Sequence, residues 1–281
     1  VLSTGTAGNS YSNTCLIKAF EIIKKNYAPG SEILSYTGLP GIISSLVECE
    51  NNKMLYYSLP NFMHEMVHFA GFKIMGIGIN RIKVEITDMA KIYSARSYNN
   101  LHDEGFFISG NRQIIIRGIR LPQRKIIYNH IPAHFLDNPN FRIYLTGKEA
   151  ESGYLTLLDE LNSYTHELQL VTALYPKTIP PGKTTIQKDN IAAIQFMILA
   201  YLYHVRKRMP RTYSLMKKNK NILYLTKHFY IKAEKAIAAV ENESKFKKIR
   251  FAWPAVYRAV KNNRIEFIKF ISSKQLLQIN Q

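Results

Sequence analysis

In "PNFMHEMVHFAGFKI", residues 60–74, His64 and His68 stand four apart, with Glu65 directly after the first of them. On a helix that spacing stacks the two imidazoles on one face, where both can reach a single ion at roughly 2.0–2.1 Å. Glu65 then lies beside such an ion and not in its coordination shell. From there a carboxylate can take a proton from an activated water and pass it to a leaving amine. Zinc is the ion expected, because it lowers the pKa of a bound water to about 7. The competing reading is a core helix with two incidental imidazoles. The chain holds only eight histidines, and its composition would yield H-E-x-x-H by chance roughly 0.012 times. The metal reading is the stronger.

His64, Glu65 and His68 together resemble the signature of the zincin metallopeptidases, and that resemblance implies a third protein ligand. The metzincin extension, H-E-x-x-H-x-x-G-x-x-H, fails here: Gly71 occupies the glycine position, but Ile74 stands where the last histidine is needed. Gly71 is then expected to serve close packing. The gluzincin type takes a glutamate from a later helix, and "LLDELNSYTHELQ" is the place to look. Counting 100° per residue from Leu157, the positions Leu161, Tyr164, Leu168, Val171 and Tyr175 fall within about 40° of one buried line. Glu160 and Glu167 lie at about the edge of that stripe, while Asp159 and His166 are expected to face away.

Glu160 and Glu167 are both contenders, and the likeness of "DELNSY" to the gluzincin glutamate segment favours Glu160. Gluzincins also carry an acid four residues after the ligand to brace the first histidine. This chain has Tyr164 there, as a substitute brace, an oxyanion donor or plain core. The resemblance further implies that a strand ahead of the motif helix, in "ISSLVECE" or "KMLYYSLP", pairs with an extended peptide substrate.

These residues need elements to position them. "NTCLIKAFEIIKKNYAP" predicts an amphipathic helix capped at Asn13 or Thr14. "EILSYTG", "GIISSLVECE" and "KMLYYSLP" predict short strands, the last two as a hairpin, with the motif helix beginning after Pro60. Extended segments are expected through most of 79–150: "RIKVEIT", "GFFISG", "RQIIIRGIR", "RKIIYNHI" and "FRIYLTG". A helix of about five turns follows over "GYLTLLDELNSYTHELQLVTALYP". "KTIPPGKTT" reads as a linker, and helices are expected over 188–208, 219–241 and 252–279. The expected class is therefore α+β: a zincin-like catalytic domain over residues 1–176, then a mainly helical basic region over 177–281.

Composition agrees with a folded chain. Of 281 residues, 46% are apolar and 12% aromatic, enough to build a core. Cys15 and Cys49 form no C-x-x-C pair; a bond between the two is one alternative, and two unbonded core thiols are the expectation favoured. "IAAIQFMILAYLYHV", residues 191–205, is shorter than the roughly twenty residues a spanning helix needs, so a buried helix and a soluble chain are expected. The chain opens on Val1 and not Met. Either a trimmed chain or a mature product would open this way; the sequence leaves localisation open, with secretion or transfer into a host cell as one candidate.

Charge is distributed unevenly. Residues 177–281 hold 22 Lys/Arg against five acids, whereas residues 1–176 hold 16 against 15. A basic, aromatic-laced region of this kind suits an acidic protein, an anionic membrane or nucleic acid. No nucleic-acid-binding signature accompanies it, so an acidic protein substrate is the partner expected. A nucleic-acid- or membrane-binding protein with a structural or degenerate H-E-x-x-H is the alternative. A narrower resemblance, to effector proteases that bacteria deliver into host cells, implies host actin as that acidic protein. Spacing and composition by themselves say nothing of actin.

Overall fold

The computed structural model describes residues 7–38, 46–76, 104–181, 183 and 185–272. Within them the fold is mostly helical with one antiparallel hairpin, α+β in the coarse sense. The helices are α1 (Ala7–Asn26), α2 (Ala28–Thr37), α3 (Asn52–Ile74), α4 (Pro139–Leu145), α5 (Tyr154–Ala173), α6 (Gln187–Arg208), α7 (Pro210–Lys218), α8 (Lys220–Glu241) and α9 (Pro254–Ile271). Strands β1 (Glu104–Ser109) and β2 (Arg112–Ile116) pair around a Gly110–Asn111 turn, with Phe106 opposite Ile114.

The motif helix α3 starts well before the point the sequence suggests. Asn51 caps it by accepting from the backbone N–H groups of Lys53 and Met54, so "KMLYYSLP" is helical and not a strand. Pro60 is interior to the helix, where a proline costs about 3 kcal/mol. Burial of Leu55, Leu59, Phe62, Met63, Met66 and Val67 along the same helix offsets that cost. The expected hairpin with "GIISSLVECE" is absent over 46–60, and 41–45 lie outside the described residues, as does "RIKVEIT".

Other expected strands are helical too. Asn138 caps α4, and Phe141, Tyr144 and Leu145 bury one face at helical spacing. Arg124–His130 is a 3₁₀ turn that buries Arg124 and Ile127, three residues apart. In α2, Pro29 lies in the first turn and Ile33, Leu34 and Thr37 are buried together. Helix α1 begins by Ala7, ahead of the cap expected at Asn13 or Thr14.

Among the described residues only "GFFISG" and "RQIII" form a ladder. β1 is held against α3 by a backbone contact: a Cβ on Gly71 would stand 2.5 Å from the Gly105 carbonyl oxygen, and one on Gly105 would stand 2.5 Å from that of Gly71. Gly71 is thus a packing glycine, and the close approach works only without side chains.

Cys15 and Cys49 are joined by a disulfide, with Cα atoms 5.9 Å apart. The expectation of two thiols is corrected: α1 lies close enough to the start of α3 for the bridge. Closing a loop of 34 residues stabilises by about 3–4 kcal/mol in the loop-entropy picture.

Helix α5 organises the rest. It lies against α3 on one side and against α6 and α8 on others. Leu157, Leu161 and Leu168 of α5 share a core with Ile194 and Ile198 of α6, Phe229 and Ile237 of α8, and Phe267 and Phe270 of α9. Leu170 and Leu174 join a second core with α1, α2 and α3. The basic helical region therefore packs directly on the helix that carries Glu160 and Glu167. Asp189 of α6 fastens it further by accepting from the backbone N–H groups of Ala252 and Trp253, just before Pro254 opens α9. Among the described residues no helix is long and apolar enough to cross a membrane.

Candidate metal centre

His64 and His68 of α3 face α5, and their Nε2 atoms lie 3.1 Å apart. Glu160 Oε2 stands 3.5 Å from the first and 3.6 Å from the second. Three ligand atoms each 2.0–2.1 Å from a tetrahedral ion stand about 3.3 Å from one another, so this triangle is the right size for three corners of such a shell. All three side chains are buried. Two imidazole nitrogens and one carboxylate oxygen form a donor set suited to zinc and its transition-metal neighbours. The residues fit a metal.

The outer side of each ligand is held as well. His68 Nδ1 lies 2.6 Å from Asp159 Oδ2 and 3.4 Å from Ser163 Oγ. With Nδ1–H donated to Asp159, the Nε2 lone pair faces the triangle. His64 Nδ1 stands 3.4 Å from Glu167 Oε2, a long contact that makes no well-formed hydrogen bond and leaves this buried nitrogen unsatisfied. Glu167 therefore sits behind the first histidine, while Glu160 joins the triangle. Tyr144 of α4 donates to Glu160 Oε2 at 2.8 Å, and the Tyr164 hydroxyl lies 2.8 Å from that of Tyr144. Because the Tyr144 proton goes to Glu160, Tyr164 is the donor of this second bond. The Tyr164 ring also lies against His64, centroids 4.4 Å apart.

The electrostatics ask for a cation. Asp159, Glu160 and Glu167 place three carboxylates around two imidazoles in a buried volume. Burial alone would lower His64, but Glu160 and Glu167 outweigh it and push the imidazole up to about 9. For His68 burial is likewise outweighed, here by Asp159 and Glu160, and the ring is held well above its ordinary value. Burial would raise Glu160; the two histidines hold it well below the usual carboxylate range. Burial, with the charge of Glu160, drives the Tyr144 phenol far upward and keeps it a donor. A site that binds protons this tightly between its ligands is one a dication can neutralise instead.

Glu65 is half-buried on α3 beside His64 and is not part of the ligand triangle. Its charge is among those that raise the Tyr164 hydroxyl, after burial, Glu160 and Glu167. No protein-family model, characterised protein or solved structure matches the chain. Any activity has to be argued from this geometry.

Sequence reasoning missed Asp159, Ser163 and Tyr144. The helical wheel turned Asp159 and His166 away from the one apolar stripe, and both are in fact buried. Helix α5 is buried on nearly every side, so a residue facing away from one neighbour faces another. The adjacent acids Asp159–Glu160, inside a run otherwise rich in leucine, were the available signal. Tyr144 arrives on a separate short helix, and nothing in its local sequence marks it.

Proposed function

We propose that this chain is a zinc-dependent endopeptidase acting on protein substrates. The observation that carries this reading is the buried triangle of His64 Nε2, His68 Nε2 and Glu160 Oε2, with Glu65 next to His64 in the sequence of the same helix. Zinc held there supplies the Lewis acidity that makes water a nucleophile near neutral pH. The chain's own residues divide the remaining work. His64, His68 and Glu160 hold the ion, while Asp159 fixes the orientation of the His68 ring and Glu167 stands behind His64. Tyr144 fixes the carboxylate of Glu160, and Tyr164 braces both Tyr144 and the His64 ring. Glu65 takes a proton from the attacking water and returns it to the leaving amine.

Lys207, Arg208, Lys218, Lys220, Lys247 and Arg258 are exposed in the basic helical region. They support an acidic protein as substrate, through steering that salt would screen. The resemblance to bacterial effector proteases makes actin the first protein to test.

Metal analysis of purified, zinc-supplied protein should return roughly one ion per chain, and His64→Ala should abolish it. Peptide-bond cleavage in actin or in an unrelated acidic protein should stop with a chelator and return with zinc. A chain that takes up no metal, and binds nucleic acid in a salt-sensitive, chelator-insensitive way, would sink the proposal in favour of an anion-binding protein.

A further inference from the structure

The side of α5 opposite the ligand triangle carries a second polar cluster, which the proposed hydrolysis does not use. Asn162, His166 and Gln169 lie roughly 120–180° around the helix from Glu160. Lys232 Nζ of α8 stands 2.6 Å from His166 Nε2 and 3.3 Å from Asn162 Oδ1. His166 Nδ1 lies 2.6 Å from the hydroxyl of Tyr27, which itself donates to Gln169 Oε1 at 2.8 Å. With the Tyr27 proton spent on Gln169, His166 Nδ1 must donate to Tyr27. Its Nε2 is therefore the acceptor for Lys232. Among the described residues the amine is held by neutral groups alone.

Lys232 and Gln169 line a cavity of about 470 Å³ between α5 and α8, completed by Tyr224, Lys227, His228, Ile231 and Lys235. That volume is in the range of small-molecule sites. The Arg112 guanidinium of β2 stacks on the Tyr224 ring, 3.8 Å from its centroid. Among the described residues, Arg112, Lys227, Lys232 and Lys235 have no carboxylate within 4.0 Å. Elsewhere the fold does pair its cations: Arg206 with Glu266, and Arg264 with Glu234. Three cations, the Lys232 amine and a histidine surround one concavity with no acid paired to them among the described residues, which leaves a local positive field there. Burial pushes the Lys232 amine down to about 7. His228 is lowered by burial and then by Lys232 and Arg112.

We propose that the α5–α8 cavity binds a small organic anion, with a phosphate or carboxylate head held by Lys227, Lys232 and Lys235 and an apolar body resting on Ile231 and Tyr224. The head supplies the charge the cluster lacks, and the stems of the lysines with the Tyr224 ring cover the body. The site is separate from the metal centre and stands whether or not zinc is present.

Calorimetric titration of the full, zinc-loaded chain with phenyl phosphate and with benzoate tests it, with benzyl alcohol as the neutral control. One saturable site is expected at millimolar or better affinity for at least one of the two anions. The anion that binds more tightly tells a phosphate ligand from a carboxylate one. Binding should weaken at least tenfold in the Lys227→Gln/Lys235→Gln double variant, weaken with added salt, and persist after chelation. Both of those lysines are exposed, so the double variant should fold even if Lys232→Met does not. Three results would each overturn the proposal: no saturation by either anion, equal binding of benzyl alcohol, or binding that survives the lysine changes and disappears with chelator. The last would assign the anion to the metal centre.

Discussion

Asp159 Oδ2 lies 2.6 Å from His68 Nδ1, so the residue directly before Glu160 grips the outer nitrogen of the second histidine. One helix thus supplies both the carboxylate that meets the imidazoles on their inner side and the carboxylate that aligns one of them from outside. Since α5 is packed on several sides, this pair cannot rotate without disturbing the core. The ligand geometry is set by helix packing.

Asp159→Asn should therefore weaken metal binding while leaving the ligand triangle intact. Loss of such an outer partner typically costs roughly 10–100-fold in affinity. Competition against a chelating dye measures it, with circular dichroism as the check on folding. Affinity equal to that of the parent would remove Asp159 from the site.

Glu65→Gln separates metal binding from turnover. The substitution keeps shape and half-burial but removes the proposed proton acceptor, so zinc content and melting temperature should stay as they were. The turnover rate should fall by about 10²–10⁴, the range a positioned general base contributes. Retained turnover in a variant with full zinc occupancy would assign the proton transfer to another group.

Gly71→Ala probes the contact that seats the hairpin on the motif helix. The added methyl would meet the Gly105 carbonyl oxygen at 2.5 Å, and backbone on both sides must shift to accommodate it. A loss of about 1–3 kcal/mol is expected, as for overpacked cores. Denaturant titration reads it, with Lys53→Ala on the exposed side of α3 as a control that should stay within about 0.5 kcal/mol of the parent.

The parts of this structure legible in the sequence are those where a residue's chemistry or a long period dominates. H-E-x-x-H names its helix, and α5, α6 and α8 announce themselves by length and apolar spacing. The runs around Tyr36, Tyr56, Ile127 and Tyr144 have the composition of strands and are helical in the fold. Four to eight residues rich in Ile, Tyr and Leu fit either period, and which one wins is decided by the neighbours they pack against. Asp159 was hidden for a related reason, since a wheel drawn for one buried face misplaces residues on a helix buried all round. The disulfide needed the spatial approach of α1 to the start of α3, which a separation of 34 residues does not reveal. The α5–α8 cation cluster draws Arg112 from β2 and the lysines from α8, segments more than a hundred residues apart.

The protonation of the metal-free centre gives a prediction whose sign can be worked out. Burial would lower His64, but Glu160 and Glu167 prevail and raise it from 6.5 to about 9. A group whose folded value exceeds its unfolded one favours the folded state while protonated. That stabilisation is complete below the ordinary imidazole value and is lost as pH rises through about 9. Chelated protein should accordingly melt at progressively lower temperature between pH 6.5 and about 9. Zinc needs the neutral imidazole, so its binding must expel this proton and its apparent affinity must climb across the same window. The gap in melting temperature between zinc-loaded and chelated protein should widen with pH. His64→Gln should flatten both trends, because it removes the titrating ring and a ligand together. A gap that narrows toward alkaline pH would mean that His64 is neutral in the metal-free fold, and that Glu160 and Glu167 do not govern it.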